Sequence, residues 1–346
     1  MASAAFRLRA DSGSPSRRFA DLFRREVAPH VERLEAERER QRHSCLAVIL
    51  ATGGVAIGAL VVIWPVNPTI GLVVALALGA LGFGLQGYLR NQFSSELRKL
   101  VMPAICQAIG GLTHQVGGQA GIDLEELTDL GLLPSHNRRV IDDVFTGRHR
   151  DTGFTMIEAR LRRRGSGRRR RTRTVFRGLI LQIETPKPIP ARILIARDSG
   201  ALGNRLKGWL KQISGMQRIA VPHPAFEERF ELYADRPDLA LETVSPAFCD
   251  TMVALAEAHD DKPLQGAFAG RHFYIAMPRS GDQFRLGSVF RPLDDLEAEA
   301  GRVLHDVQIV HRVIDTLHGG QDRYSRSPVT GLPDHRLSAP ARLGNR

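Results

Sequence analysis

Residues 44–89 read SCLAVILATGGVAIGALVVIWPVNPTIGLVVALALGALGFGLQGYL, a run with no Lys, Arg, Asp or Glu. Pro65-Val66-Asn67-Pro68 divides it into residues 45–64 and 69–89. Each half holds about 20 residues, which at about 1.5 Å rise per residue spans the roughly 30 Å hydrocarbon core of a bilayer. The pattern predicts a transmembrane hairpin, against the alternative of a buried hairpin in a soluble core. A signal peptide does not fit, because the apolar run begins only at position 45 and no small-residue cleavage site follows a short core. Trp64 and Tyr88 fall at segment ends, where amphipathic aromatics favour the interface.

Flanking charge sets the expected orientation. Residues 1–43 carry ten arginines, Arg38, Arg40 and Arg42 among them; Arg90, Arg98 and Lys99 follow the second segment, and the connecting turn carries no charge. Positive-inside asymmetry then puts both termini in the cytoplasm. Within the hairpin, Gly54 and Gly58 form a GxxxG, and Ala75/Gly79 and Ala80/Gly84 repeat small residues at the same spacing. Such stripes let helix backbones approach closely, either within the hairpin or between two copies.

Working outward, residues 1–18 read as disordered and 19–43 as an amphipathic juxtamembrane helix. Phe19, Leu22, Phe23, Val27, Val31 and Leu34 recur at helical spacing, and Pro29 predicts a kink. This helix suits the cytoplasmic leaflet, a partner helix, or the chain's own domain. Residues 90–150 read as a helical connector: a helix over 94–109 interrupted near Pro103, a glycine-rich break over 110–118, and helical spacing again at Leu124, Leu127 and Leu130.

From 151 to 318 the period changes to that of a sheet. Strands are predicted at 154–162, 174–184, 192–197, 217–221, 229–233, 265–269 and 272–277, the last two flanking Gly270, with a helix at 246–259 capped by Ser245. Strands that cluster while helices stand apart indicate an α+β fold with a mainly antiparallel sheet. A long helix over 291–318 closes the domain. In it Leu293, Leu296, Ala300, Val303, Val307, Val310, Ile314 and Leu317 alternate spacings of 3 and 4, a heptad seam that suits docking on the sheet or a homodimeric coiled coil. Residues 319–346 lack periodicity and read as a disordered tail.

The chain has 346 residues, 43% of them hydrophobic, and a formal charge of +11. Ten arginines between Arg160 and Arg177, with no acidic residue among them, account for most of that charge. Arg162, Arg163 and Arg164 end one predicted strand, Arg168, Arg169, Arg170 and Arg171 follow the Gly165-Ser166-Gly167 turn, and Arg173 opens the next strand. This cationic hairpin is the candidate site, either for anionic lipid headgroups, each basic residue near such a surface contributing about 1 kcal/mol, or for an acidic protein, against a solvated loop with no ligand. Nucleic acid is disfavoured, because no aromatic residues interleave with the arginines to stack bases.

Little else points to chemistry. Cys45, Cys106 and Cys249 are far apart and form no metal spacing. HExxH, P-loop and GxSxG patterns are absent. His305, His311 and His318 read as surface histidines, with His305 turned away from the other two, and the pairs Glu227-Glu228 and Asp294-Asp295 as solvated charges. No catalytic residue, metal ligand or cofactor is expected.

Gly131-Leu132-Leu133-Pro134, the run from Asp142 to Gly147, Ile157-Glu158-Ala159, and above all Thr174-Val175-Phe176-Arg177-Gly178-Leu179 resemble the bacterial domain-of-unknown-function family 3137. The resemblance covers roughly residues 19–280 and implies two membrane helices with a cytoplasmic α+β domain in a bacterial inner membrane. It brings no reaction and no site residues, and the arginine-rich loop and long C-terminal helix look like departures from it. The expectation is a non-enzymatic, membrane-anchored interaction or scaffold module with an unidentified protein partner, against a membrane-bound enzyme or a nucleic-acid-binding membrane protein.

Overall fold

The computed structural model describes residues 15–165, 171–197, 215–258, 263–281, 284 and 286–318. The predicted terminal disorder at 1–14 and 319–346 and the loop residues Arg168, Arg169 and Arg170 lie outside them. Helix α1 (Pro15–Leu22) passes through a π-helical turn (Phe23–Val27) into α2 (Ala28–Ile63), and a short turn leads to α3 (Pro68–Ile109). Then come β1 (Leu112–Val116), α4 (Leu124–Asp129), β2 (Arg138–His149), β3 (Thr152–Arg164), β4 (Thr172–Arg197), β5 (Gln217–Ile219) and α5 (Pro224–Glu227). β6 (Phe230–Ala234), α6 (Pro237–Thr243), α7 (Pro246–Ala258), β7 (Gln265–Pro278), a 3-10 turn (Leu293–Asp295) and α8 (Leu296–Leu317) complete the α+β fold.

Local chemistry explains the helix boundaries. Asn67 ends the interhelical turn by accepting the Thr69 and Ile70 N–H groups at 3.1 and 3.2 Å, with Pro68 at the first helical position, where its missing donor costs nothing. The irregularity expected at Pro29 falls one turn upstream: Pro29 supplies no N–H to residue 25, and the Ala28 N–H reaches back five residues to the Phe23 carbonyl. Ser245 caps α7 as expected, its Oγ accepting the Phe248 N–H at 3.3 Å.

Helices α1–α2 and α3 are long and apolar enough to cross a membrane. At 42 residues, α3 is roughly 63 Å long, about twice the hydrocarbon thickness. Its second half is therefore a stalk. Phe93, Leu97, Val101, Met102, Ile105 and Ala108 are buried there, and Pro103 is tolerated on the exposed side of an unbroken helix. Phe19, Phe23 and Val27 are buried in the same core, with Leu22, Val31 and Leu34 packed against it. The amphipathic stripe thus covers the chain's own domain, and its helix begins at Pro15, inside the stretch expected to be disordered.

The expected helical connector over 90–150 is corrected. Helix ends at Ile109, and β1 and β2 occupy much of the remainder, flanking the one-turn α4. Leu124, Leu127 and Leu130 carry helical spacing only because α4 and the following turn lie flat on the sheet, where they are buried with Leu132 and Leu133.

The sheet runs β1-β2-β3-β4-β6-β5, with β7 also paired to β4, and all its ladders are antiparallel. Two pairs of predicted strands prove to be single bent strands. β4 continues through Pro186, Pro188 and Pro190, and β7 through Gly270 at φ 57°. Prolines two apart put their missing N–H groups on one edge of β4, and there β3 has ended at Ile183 while β6 begins only at Ile193. Gly178 is needed where β4 crosses β7, since a Cβ there would collide with the Met277 carbonyl oxygen.

One sheet face packs on α3, α7 and α8, the other on α4. Seven of the eight heptad residues, Leu293 to Ile314, are buried against this domain, and Leu317 packs on the same core. The seam is therefore occupied within the chain, which corrects the coiled-coil alternative for α8.

Candidate anionic-surface site

The arginine-rich end of the β3–β4 hairpin is held by backbone. Asn137 accepts the Arg164 N–H on Oδ1 at 2.8 Å and donates from Nδ2 to the Arg164 carbonyl at 3.1 Å, while its own N–H reaches the Arg162 carbonyl. The Gly165 N–H donates to the Arg171 carbonyl at 3.2 Å, closing the hairpin. In this frame Arg163 lies directly opposite Arg173, Arg164 opposite Thr172, and Arg162 between Thr174 and Arg138.

Charge balance changes sharply along the hairpin. Arg160 pairs with Asp142 at 3.1 Å, and Arg139 beside it with Glu125 at 3.1 Å. Beyond that level no carboxylate lies within 4.0 Å of Arg162, Arg163, Arg164, Arg171 or Arg173 among the described residues. Like charges facing one another across a ladder are unfavourable unless something anionic lies between them. Among the described residues the end is thus a cationic surface without a counter-charge of its own.

Two sets of contacts give the direction of that end. On α3, Arg98 pairs with Asp143 of β2, and Gly111, just past the helix, accepts the Arg148 N–H, so β2 runs alongside α3 away from the apolar segment. β3 is antiparallel to β2 and returns. On α8, His318 at the C-terminal end bonds Thr152 at the start of β3. Farther along, Arg177 opposes Arg160 and accepts the Arg279 N–H, and Arg279 lies 3.7 Å from Asp306 in mid-helix. The N-terminal end of α8 is tied to α2 where the Leu293 N–H meets Glu35. β3 therefore advances toward the side of the domain from which the apolar helices emerge. Six residues from Glu158, beside Asp143, to Arg164 cover about 20 Å of strand, and nine from Arg98 to Leu89 about 14 Å of helix, so the strand is long enough for the arginines to extend toward the apolar run.

Other polar clusters are structural. Asp143 is fully buried and both its oxygens are engaged, Oδ2 by Arg98 Nη1 at 2.6 Å and Oδ1 by His114 Nε2 at 2.7 Å. This triad fastens the stalk to the sheet. Glu158, fully buried, stands across the ladder from Asp143, whereas Glu184 is exposed and accepts the Gly153 N–H. Burial pushes the thiols of Cys106 and Cys249 up to about 11, away from nucleophilic use. Among the described residues no group of three His, Cys, Asp or Glu is placed to hold a metal.

The histidines correct one expectation. His305 is exposed, but His311 is half-buried, stacked on His149 at 4.0 Å and edge-on to Phe154. Burial, reinforced by His149, lowers its pKa to about 4. His149 bonds Asp315 at 2.9 Å, which also receives Arg150 at 2.8 Å.

Sequence reasoning missed Arg38, taken as a juxtamembrane surface charge. It is buried, bonded to both oxygens of Glu35 at 2.9 and 2.6 Å and to the Val289 carbonyl at 3.0 Å. The signal was present: Val27, Val31, Leu34 and Arg38 continue one helical stripe, so a charge there had to find partners.

A family model described as protein of unknown function (DUF3137) matches residues 174–318. The resemblance read from the sequence is thus found, centred farther along the chain than expected. Of the quoted motifs it includes Thr174–Leu179, and it takes in the whole of α8, which is therefore no departure from the family. No curated protein matches the chain. Among solved structures, the mycobacterial trehalose monomycolate transport factor A, TtfA, aligns at 10% identity over 62% of this chain and 95% of that one, with a TM-score of 0.30, too low to carry an argument.

Proposed function

We propose that this chain is a membrane-anchored, non-enzymatic interaction module of the bacterial inner membrane. It crosses the bilayer twice, keeps both termini in the cytoplasm, and rests its arginine-rich hairpin end on anionic lipid of the leaflet its helices enter. The observation that carries this reading is the direction of β3: the arginines that have no counter-charge among the described residues lie on the side of the domain where the apolar helices emerge. An anionic leaflet would supply the missing negative charge at about 1 kcal/mol per arginine near the surface. The rest of the domain, with no protein occupant assigned, is left to gather a partner beneath the membrane.

Trypsin tests the lipid contact on the full-length protein. In nanodiscs containing phosphatidylglycerol, cleavage between Arg160 and Arg177 should be slower than in phosphatidylcholine discs, and the protection should vanish at high salt, where exposed charge pairs are screened. Equal cleavage in both lipids would remove the leaflet as the partner. A reporter fused after Arg346 that was active only in the periplasm would overturn the topology.

A further inference from the structure

A second contact with the bilayer is built into the turn just before α8. Arg291 and Ser288 close a tight turn through the Arg291 N–H to Ser288 carbonyl bond at 3.2 Å, with Val289 buried in the core and Phe290 and Arg291 turned outward. Phe290 is 39% exposed, the one large hydrophobic between the sheet and α8 left so open among the described residues.

Its height is fixed from three sides. Arg38 donates to the Val289 carbonyl at 3.0 Å, Ser94 donates to the Leu286 carbonyl at 3.2 Å, and Gly287, at φ 62°, gives its N–H to Glu299 at 2.7 Å. A Cβ at Gly287 would collide with the Leu97 side chain, so the turn is pressed directly on the stalk. Arg90, the first charge after the 44–89 run, holds its guanidinium 5.7 Å from the centre of the Phe290 ring. If the run ends at the hydrocarbon boundary, Phe290 lies at that boundary too.

We infer that the Ser288–Arg291 turn is a phospholipid-binding anchor, with the Phe290 ring in the headgroup region and Arg90 and Arg291 facing lipid phosphates; this rests on the membrane reading above. An aromatic ring with guanidinium groups beside it has an apolar body and cationic donors, the combination that the interface between acyl chains and phosphates accommodates. The turn and the arginine hairpin would together hold the domain at a defined tilt against the leaflet. Unlike the hairpin, the turn needs no anionic lipid, because every phospholipid carries a phosphate.

The test uses the full-length chain, which has two tryptophans, Trp64 and Trp209. With both changed to Phe, Phe290→Trp is reconstituted into phosphatidylcholine vesicles carrying bromines either near the headgroups or deep in the acyl chains. A parallel protein keeps Trp64 alone. Anchoring requires blue-shifted emission from the introduced indole that shallow bromines quench more than deep ones, and the same for Arg291→Trp should Phe290→Trp fold poorly. Red-shifted emission untouched by either quencher, with Trp64 still quenched, overturns the anchor and leaves the spans standing. If Trp64 is unquenched as well, the spans fail and the anchor fails with them.

Discussion

The two halves of α3 are one helix with two different surfaces. From Pro68 to Leu89 only Gly71 and Gly82 are buried, on the face toward α2, and Leu72, Val73, Leu76, Leu81, Phe83 and Leu85 are exposed around the rest of the helix. From Arg90 to Ile109, Phe93, Leu97, Val101, Met102, Ala104, Ile105 and Ala108 are buried along one side, while Glu96 and Lys99 turn outward and pair at 2.7 Å. No break separates the halves. The first half carries the pattern of a helix covered by a membrane or by other protein, the second that of a helix packed on a domain surface. The pattern changes at Arg90, the first charge after the apolar run.

That contrast can be broken at several points. The largest loss is expected where the second half of α3 meets the sheet: Asp143→Ala leaves Arg98 and His114 facing each other without their carboxylate, and the solubilised protein should lose about 3–5 kcal/mol in thermal or denaturant unfolding. Leu97→Ala, at a fully buried position, should cost about 3 kcal/mol in the same assay. At 65% exposed Leu76 the same truncation should cost under about 0.5 kcal/mol. Leu76→Arg tests the spanning reading most directly. On a water-exposed surface it would be silent, whereas at the centre of a spanning helix it should lower insertion by about 2.5–3.5 kcal/mol, read by membrane fractionation or a glycosylation reporter. Silence there would return the apolar half to water.

Acid should act on the folded domain through His311. Burial and the stacked His149 lower the His311 pKa from 6.5 to about 4, so folding favours the neutral ring. Above pH 6.5 both folded and unfolded chains hold it neutral and it confers no pH dependence. As pH falls from 6.5 toward 4 the unfolded chain takes up the proton first, and stability drops through that window. His311→Phe, which retains an aromatic against His149, should flatten that part of the slope. The smallest effect is expected at Gly54→Leu, because a Cβ there meets nothing within 4 Å, whereas one at Gly82 would strike the Thr52 side chain. The GxxxG face of α2 is thus turned away from α3. A change in oligomeric mass with Gly54→Leu would assign that open face to a second copy.

Much of the fold was legible because its signals are local. An uncharged run of bilayer length, an Asn-Pro turn, period-2 strands and the Ser245 cap each depend on residues within a few positions of one another. The arginines at 160–177 announced themselves by composition. Their direction did not, since it depends on contacts as distant as Arg98 with Asp143 and Thr152 with His318.

The sequence by itself determined two helices of spanning length, an α+β domain behind them, and a concentration of positive charge without acidic neighbours. Tertiary structure alone decided which apolar stripes were already occupied: the Phe19–Val27 face and the α8 heptad, each open to a partner on paper, are buried in the chain's own core. It also decided that Arg38 is an internal clamp, that β4 runs unbroken through its prolines, and that the hairpin arginines lie on the side of the domain from which the apolar helices emerge. The physical reason is the same in each case. Periodicity states that a face must be covered or a charge paired, but only long-range packing decides which surface does it.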